Sequence, residues 1–377
     1  MNIHEPLPLL GGISPADFMR RYWHKKPLLI RGAIPDMQPV LTRSELLDMA
    51  ADENVESRLV VQPVPGKAAA WRMRHGPIAR TALPPFKQRL WTLLVQGVNL
   101  HDERVQWLVN SFRFVPSARL DDLMISYATD GGGVGPHFDS YDVFLLQVHG
   151  QRRWRIGRQK DLSLVPDMPL KILANFVPEE EYVLNPGDML YLPPRYAHDG
   201  IAEGECMTYS IGFRSPNKGE LAQEVLQRIA EQACDEVGEE IYRDPKQMAV
   251  EKPGEIPAAM LDFAQDAMTR ALSDPLSVAR ALGEVLTEPK PHVWFESSTY
   301  ASIERGVRID RQTRVLYDTK HLFINGESYL ASGKDASLIH RLADAGELSA
   351  KEVKQLSAAA KGLLEEWCLS GWVHEYE

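Results

Sequence analysis

Two histidines and one aspartate are the residues of this chain best spaced for chemistry. In Gly135-Pro136-His137-Phe138-Asp139, His137 and Asp139 stand two positions apart. On extended backbone both side chains therefore leave on one side and Phe138 on the other. Further on comes PGDMLYLPPRYAH, in which the turn residues Pro186-Gly187-Asp188 announce a strand ending in His198, fifty-nine residues after Asp139. Two imidazoles and one carboxylate on a single ion leave three coordination positions open, the facial triad of non-haem iron(II) oxygenases. A keto acid such as 2-oxoglutarate takes two of those positions and dioxygen the third. A tetrahedral zinc site would leave no such room. His-x-Asp alone is a common accident. The weight here comes from its glycine-rich approach, its strand context and a second motif with its own turn chemistry.

A dicarboxylate co-substrate needs a cation. Gln151-Arg152-Arg153-Trp154-Arg155 offers three arginines on a strand-like segment. Alternation puts Arg152 and Trp154 on one face, Arg153 and Arg155 on the other. The large indole prefers the interior, so Arg152 is the inward guanidinium, suited to a paired hydrogen bond with a carboxylate. Arg153 and Arg155 read as a solvated basic face. In LDDLMISYA (120–128), Asp122, Met124 and Ser126 share one side of a strand and Leu123, Ile125 and Tyr127 the other. The polar set either walls a site or faces water, and the residues alone leave both readings open. DGGGVGP (130–136) lacks the Lys-Ser/Thr ending of a phosphate loop and reads as a flexible turn delivering His137.

The elements that must position these residues fall into three blocks. Residues 1–217 begin with a helix capped by Ser14 and Pro15, broken at Pro27 before a short strand at Leu28–Ile30. A second helix is expected at 41–50 and two short strands within 58–75. From 120, β-like segments at 120–128, 141–150, 152–157, 181–194 and 207–215 suggest a sandwich or barrel. Residues 218–289 carry helical patterns at 219–237, 258–274 and 275–286, a small bundle. Residues 290–377 alternate hairpin-like strands with helices at 334–346 and 349–367, the order of a winged helix.

The net charge of −10 is unevenly spread. Lys+Arg against Asp+Glu runs 24 to 24 in residues 1–217, 7 to 15 in 218–289 and 11 to 13 in 290–377. No block has the electropositive footprint of a nucleic-acid binder, so direct nucleic-acid binding is not expected. The acidic middle suits either solubility or a basic protein partner. Three scattered cysteines fit a reducing compartment, and no long uncharged apolar run or basic leader is present, which together suggest a cytoplasmic protein without a membrane span.

Taken with FMRRYWHKKPLLIRGA, LWTLLVQGVNL (90–100), DDLMISYATDGGGVGPHFDSYDVFLLQ, PGDMLYLPPRYAHDG and MTYSIGFRSPN, the chain resembles the JmjC-type ribosomal oxygenases over roughly residues 14–217. The resemblance implies an α+β protein built on a double-stranded β-helix (a cupin or JmjC jelly roll), with LWTLLVQGVNL as a helix before the barrel. A helical dimerisation segment and a winged-helix-like C-terminal domain would follow. It implies iron(II) at His137, Asp139 and His198, and 2-oxoglutarate at Arg152 with Ser126 nearby. An arginine pocket would comprise Asp122, Met124, Tyr141 and Ser210. One departure is Gln151, where the family often has a further arginine. The expected reaction is hydroxylation of an arginine β-carbon in a basic large-subunit ribosomal protein, using dioxygen, by a homodimer. Histidine hydroxylation or lysine demethylation is the competing enzymatic reading, and a non-enzymatic cupin/winged-helix regulator the competing class.

Overall fold

The computed structural model describes residues 1–64, 70–330 and 332–376; part of the segment expected to hold two strands, 65–69, lies outside the described residues. The chain divides into two compact units, Met1–Ser215 and Pro216–Glu377.

The first unit is a nine-stranded antiparallel sheet folded on itself. Its strands are β1 (Leu28–Ile30), β2 (Ser57–Val61), β3 (Arg72–His75), β4 (Trp91–Val95), β5 (Leu120–Ala128), β6 (Asp142–Gly157), β7 (Glu180–Leu184), β8 (Met189–Leu192) and β9 (Ala197–Phe213). They run in the order β1-β8-β6-β9-β5-β4-β2-β3, with β7 also on β6. The long strands make the jelly roll. The first half of β6 pairs with β8 and its second half with β7, while β9 follows it along both halves. Residues 141–150 and 152–157, expected as separate strands, are thus one strand bent through register shifts between Gln147 and Gln151. Gly150 makes the bend possible. Its φ is +61°, and a Cβ there would lie 2.1 Å from the Glu205 carbonyl oxygen.

Two further expectations are corrected. LWTLLVQGVNL is not a helix: Trp91–Val95 is a fully buried strand paired with β2 and β5, followed by one helical turn at Val98–His101. A run that is apolar but for Thr92, bounded by Gln96-Gly97, fits a strand covered on both faces. His198 does not end the PGD strand, because β8 stops at Leu192 and Pro193-Pro194 cannot extend a ladder. His198 is instead the second residue of β9.

Burial follows from alternation. The odd residues of β5 (Leu123, Ile125, Tyr127) join Phe18, Phe112, Phe144, Tyr191 and Phe213 in the main core. Val143, Leu145, Trp154, Ile156, Leu190 and Leu192 form a second cluster on the inner face of the roll. The N-terminal segment is stitched onto the sheet at the PGD turn. β1 pairs with β8, and the buried Asp188 accepts from the Gly32 and Asn185 N–H groups (3.0 Å each) and from Arg31 (2.6 Å). The helix at Pro15–Arg21 is capped by Ser14, and that at Arg43–Ala51 by a Thr42/Glu45 capping box.

The second unit opens with helices at Lys218–Val237, Ala258–Ala271 and Ser277–Thr287. Two small sheets follow: β10 (Gly306–Ile309) between β14 (Glu347–Ser349) and β15 (Val373–Glu375), and β12 (His321–Ile324) between β11 (Val315–Tyr317) and β13 (Glu327–Leu330). The helix at Gly333–Ala345 packs with them around Val307, Leu364 and Trp367. The single helix expected over 349–367 is two, Ala350–Val353 and Ala358–Leu369, because Ser357 caps the second through the Ala360 N–H. All three cysteines are free thiols. Among the described residues no helix is long and apolar enough to cross a membrane.

Candidate metal centre

The glycine run places His137. Gly133 has no room for a side chain, since a Cβ would stand 2.4 Å from the Gly200 carbonyl oxygen. Gly131 N–H donates to Ala202 O, and Ala202 N–H returns a bond to Gly132 O. The run is therefore a close-packed ribbon rather than the flexible turn expected of it. It delivers His137 into a reciprocal backbone bridge with His198, 2.9 Å and 2.8 Å in the two directions.

The two imidazole rings lie 4.2 Å apart. His137 Nδ1 sits 2.9 Å from Gly135 O, and His198 Nδ1 3.0 Å from Tyr196 O. A carbonyl only accepts, so each Nδ1 carries hydrogen and each Nε2 presents a lone pair. Such outer bonds fix the tautomer and aim of a metal-binding imidazole. Asp139, anchored through its carbonyl to the Arg195 N–H, brings Oδ2 to 3.6 Å from His198 Nε2. One ligand atom from each residue falls within 4.8 Å of the others, and no other such cluster occurs among the described residues. Burial, then the nearby His137, pushes the His198 pKa down to about 4, leaving the neutral form a metal needs.

Arg152 lies on the same inner face, 5% exposed. Its Nη1 donates to Ser126 Oγ at 3.1 Å, while Nε and Nη2 are buried with no hydrogen-bond partner. A buried guanidinium left so is costly, by several kcal/mol, unless an anion completes it. Trp154 spans the gap to the histidines, its ring 5.6 Å from the Arg152 Cζ and 5.8 Å from the His198 ring. Arg153 pairs with Glu181 and Glu203, and Arg155 with Asp199, on the opposite face. Gln151 is exposed and donates to Asn185. Two imidazoles and a carboxylate suit a divalent first-row metal, and the incomplete guanidinium suits a carboxylate ligand beside it. The residues present fit iron(II) with a keto diacid.

Asp122, Met124 and Ser126 do not face water: Asp122 and Ser126 are each 3% exposed. In register, Met124 lies opposite Ser210 and Ser126 opposite Thr208, so the polar side of β5 continues across β9. Tyr141 reaches over this face, its ring 3.9 Å from where a Gly212 Cβ would stand. Burial, with the Asp139 and Asp122 charges, holds its phenol well above the usual range, so it stays protonated. Tyr141 as a whole is 40% exposed. One contact had no signal in composition or spacing: Gln96, just past β4, donates to both Asp122 oxygens at 3.1 and 3.2 Å.

The chain is 34% identical to the ribosomal protein uL16 3-hydroxylase of Escherichia coli over 82% of this chain and 84% of that protein. The chain belongs to the JmjC-domain ribosomal oxygenase family. The family's JmjC domain matches residues 107–221 and a ROXA-like winged helix matches 270–374. The fold agrees throughout. A structure of YcfD, a ribosomal oxygenase from E. coli, in complex with cobalt and 2-oxoglutarate superposes with a TM-score of 0.76, at 28% identity, covering 95% of this chain and 97% of that one. A more distant similarity, 28% over 48% of this chain and 30% of the other, links it to the bifunctional lysine-specific demethylase and histidyl-hydroxylase NO66 of Aedes aegypti.

Proposed function

We propose that this ribosomal oxygenase uses iron(II) and 2-oxoglutarate to hydroxylate the β-carbon of an arginine in a large-subunit ribosomal protein. The observation that carries the reading is the convergence of His137, Asp139 and His198, ligand atoms within 4.8 Å, beside a buried Arg152 with two unused nitrogens. When bound, iron(II) with 2-oxoglutarate supplies the oxidation: the keto acid and dioxygen become succinate and carbon dioxide while one oxygen atom enters a substrate C–H bond. The protein's own groups do the positioning. His137, Asp139 and His198 would hold the metal. Arg152, steadied by Ser126, would take the far carboxylate as a two-bond pair.

The target side chain would lie along Asp122, Met124, Tyr141 and Ser210. Asp122 supplies a counter-charge for a guanidinium, and Tyr141 a flat surface for it to stack on. This pocket favours arginine over the histidine alternative, since a neutral imidazole has no need of a buried carboxylate. The similarity to a uL16 3-hydroxylase supports the same choice, and a ribosomal-protein substrate supports a cytoplasmic site of action.

We divide the chain functionally at 217 and 289: catalytic roll, helical segment, winged helix. Leu226, Leu261 and Met268 of the helical segment are 50–60% exposed, which supports pairing of two chains through it. The deciding experiment is mass spectrometry of ribosomal proteins from cells with and without the gene. Loss of one oxygen from a single arginine when the gene is removed is expected, and an unchanged spectrum defeats the proposal.

A further inference from the structure

The turn Gln96-Gly97-Val98-Asn99 is built around Asp122. A register shift between Leu120 and Leu123 takes Asp122 out of regular pairing. The freed Leu123 N–H is taken by the buried Asn99 side chain at 2.8 Å. Gly97, with φ +62°, brings the backbone so close that a Cβ would stand 3.8 Å from Asp122 Oδ2. Gln96 completes the collar. Its amide nitrogen donates to both carboxylate oxygens of Asp122, and its amide oxygen accepts from Arg58 Nη2 at 3.2 Å. The carboxamide cannot be reversed without setting its oxygen against a carboxylate and its N–H groups against a guanidinium. Asp122 is thus held in one plane, with a fixed cation one amide away on the same face of the sheet, since Arg58 lies two strands over on β2.

We infer that Gln96 and Arg58 are positioning residues that select a guanidinium over an ammonium ion at Asp122. This rests on the reading of Asp122 as the substrate's counter-ion. An ammonium group gains chiefly from net negative charge, which the nearby Arg58 reduces. A guanidinium gains from planar, directed N–H···O bonds, and a carboxylate fixed in plane by Gln96 holds its remaining outer lone pairs on fixed lines, which a rotating one does not. The pair therefore penalises lysine and spares arginine.

The test uses the full-length enzyme with iron(II) and 2-oxoglutarate. The probes are a basic peptide carrying the target arginine and the same peptide with lysine in its place. Binding is read by calorimetry with manganese(II) replacing iron, and turnover by mass spectrometry. In Arg58→Met and Gln96→Glu the arginine-over-lysine ratio of affinities is expected to fall about tenfold, lying in KM rather than kcat. Binding of 2-oxoglutarate, unchanged in both, shows that the site is still folded. If one variant loses 2-oxoglutarate binding, the other decides. An unchanged arginine-over-lysine ratio in a folded variant overturns the inference. Asp122→Asn separates the two claims. If it leaves arginine-peptide affinity intact, the counter-ion reading itself has failed; if it weakens that affinity while the ratio holds in Arg58→Met, only the present inference has.

Discussion

At Arg152 the guanidinium meets the inner face of the roll with only one nitrogen satisfied, and the chemistry of the centre follows from that imbalance. Replacing it with lysine keeps the charge but removes the fork. The KM for 2-oxoglutarate should rise about ten- to hundredfold, with a smaller change in kcat at saturation, measured by succinate release. His137→Ala removes one of three ligand atoms. Metal binding, followed by calorimetry, and 2-oxoglutarate turnover should both be lost, because the remaining His198 and Asp139 cannot close the facial set. The two residues differ in how visible they were. His137-x-Asp139 announces itself by spacing. The face of Arg152 had to be argued from the size of its neighbour Trp154, and the two residues are indeed equally buried, 5% exposed each.

At the scale of elements, the PGD turn joins the N-terminal segment to the strand before His198. Burial raises the Asp188 carboxyl, but the Asn185 and Gly32 N–H groups and Arg31 outweigh it, leaving its pKa below the ordinary 3.8. A group whose folded pKa is depressed stabilises the fold fully above its unfolded value and loses that contribution as pH falls through the folded one. Asp188→Asn should therefore cost about 2 kcal/mol at neutral pH in urea unfolding, and that cost should shrink as pH falls below about 4, where the wild type loses the carboxylate's contribution as well. Gly133→Ala, with 2.4 Å to a backbone oxygen, should destabilise by about 1–3 kcal/mol and lower metal affinity together, since the ribbon it distorts carries His137. Strand identity was readable for β5 from alternation. It was misread for β4, whose five consecutive buried residues have no period to distinguish strand from helix.

For the whole molecule, a catalytic roll is followed by helices with exposed apolar residues and a winged helix. Light scattering is expected to give twice the 42.5 kDa chain mass, and Leu261→Glu with Met268→Glu to return a monomer with 2-oxoglutarate binding intact. By itself the sequence determined the ligand types, a β sandwich or barrel, and the helical and winged-helix texture that follows it. These depend on local spacing, turn residues and burial period, which act over a few residues. Only the tertiary structure decided that His198 opens β9, that the polar side of β5 turns inward, and that Gln96 and Arg58 reach Asp122. Those contacts depend on register between strands far apart in sequence, where a shift of one residue turns every side chain to the other face.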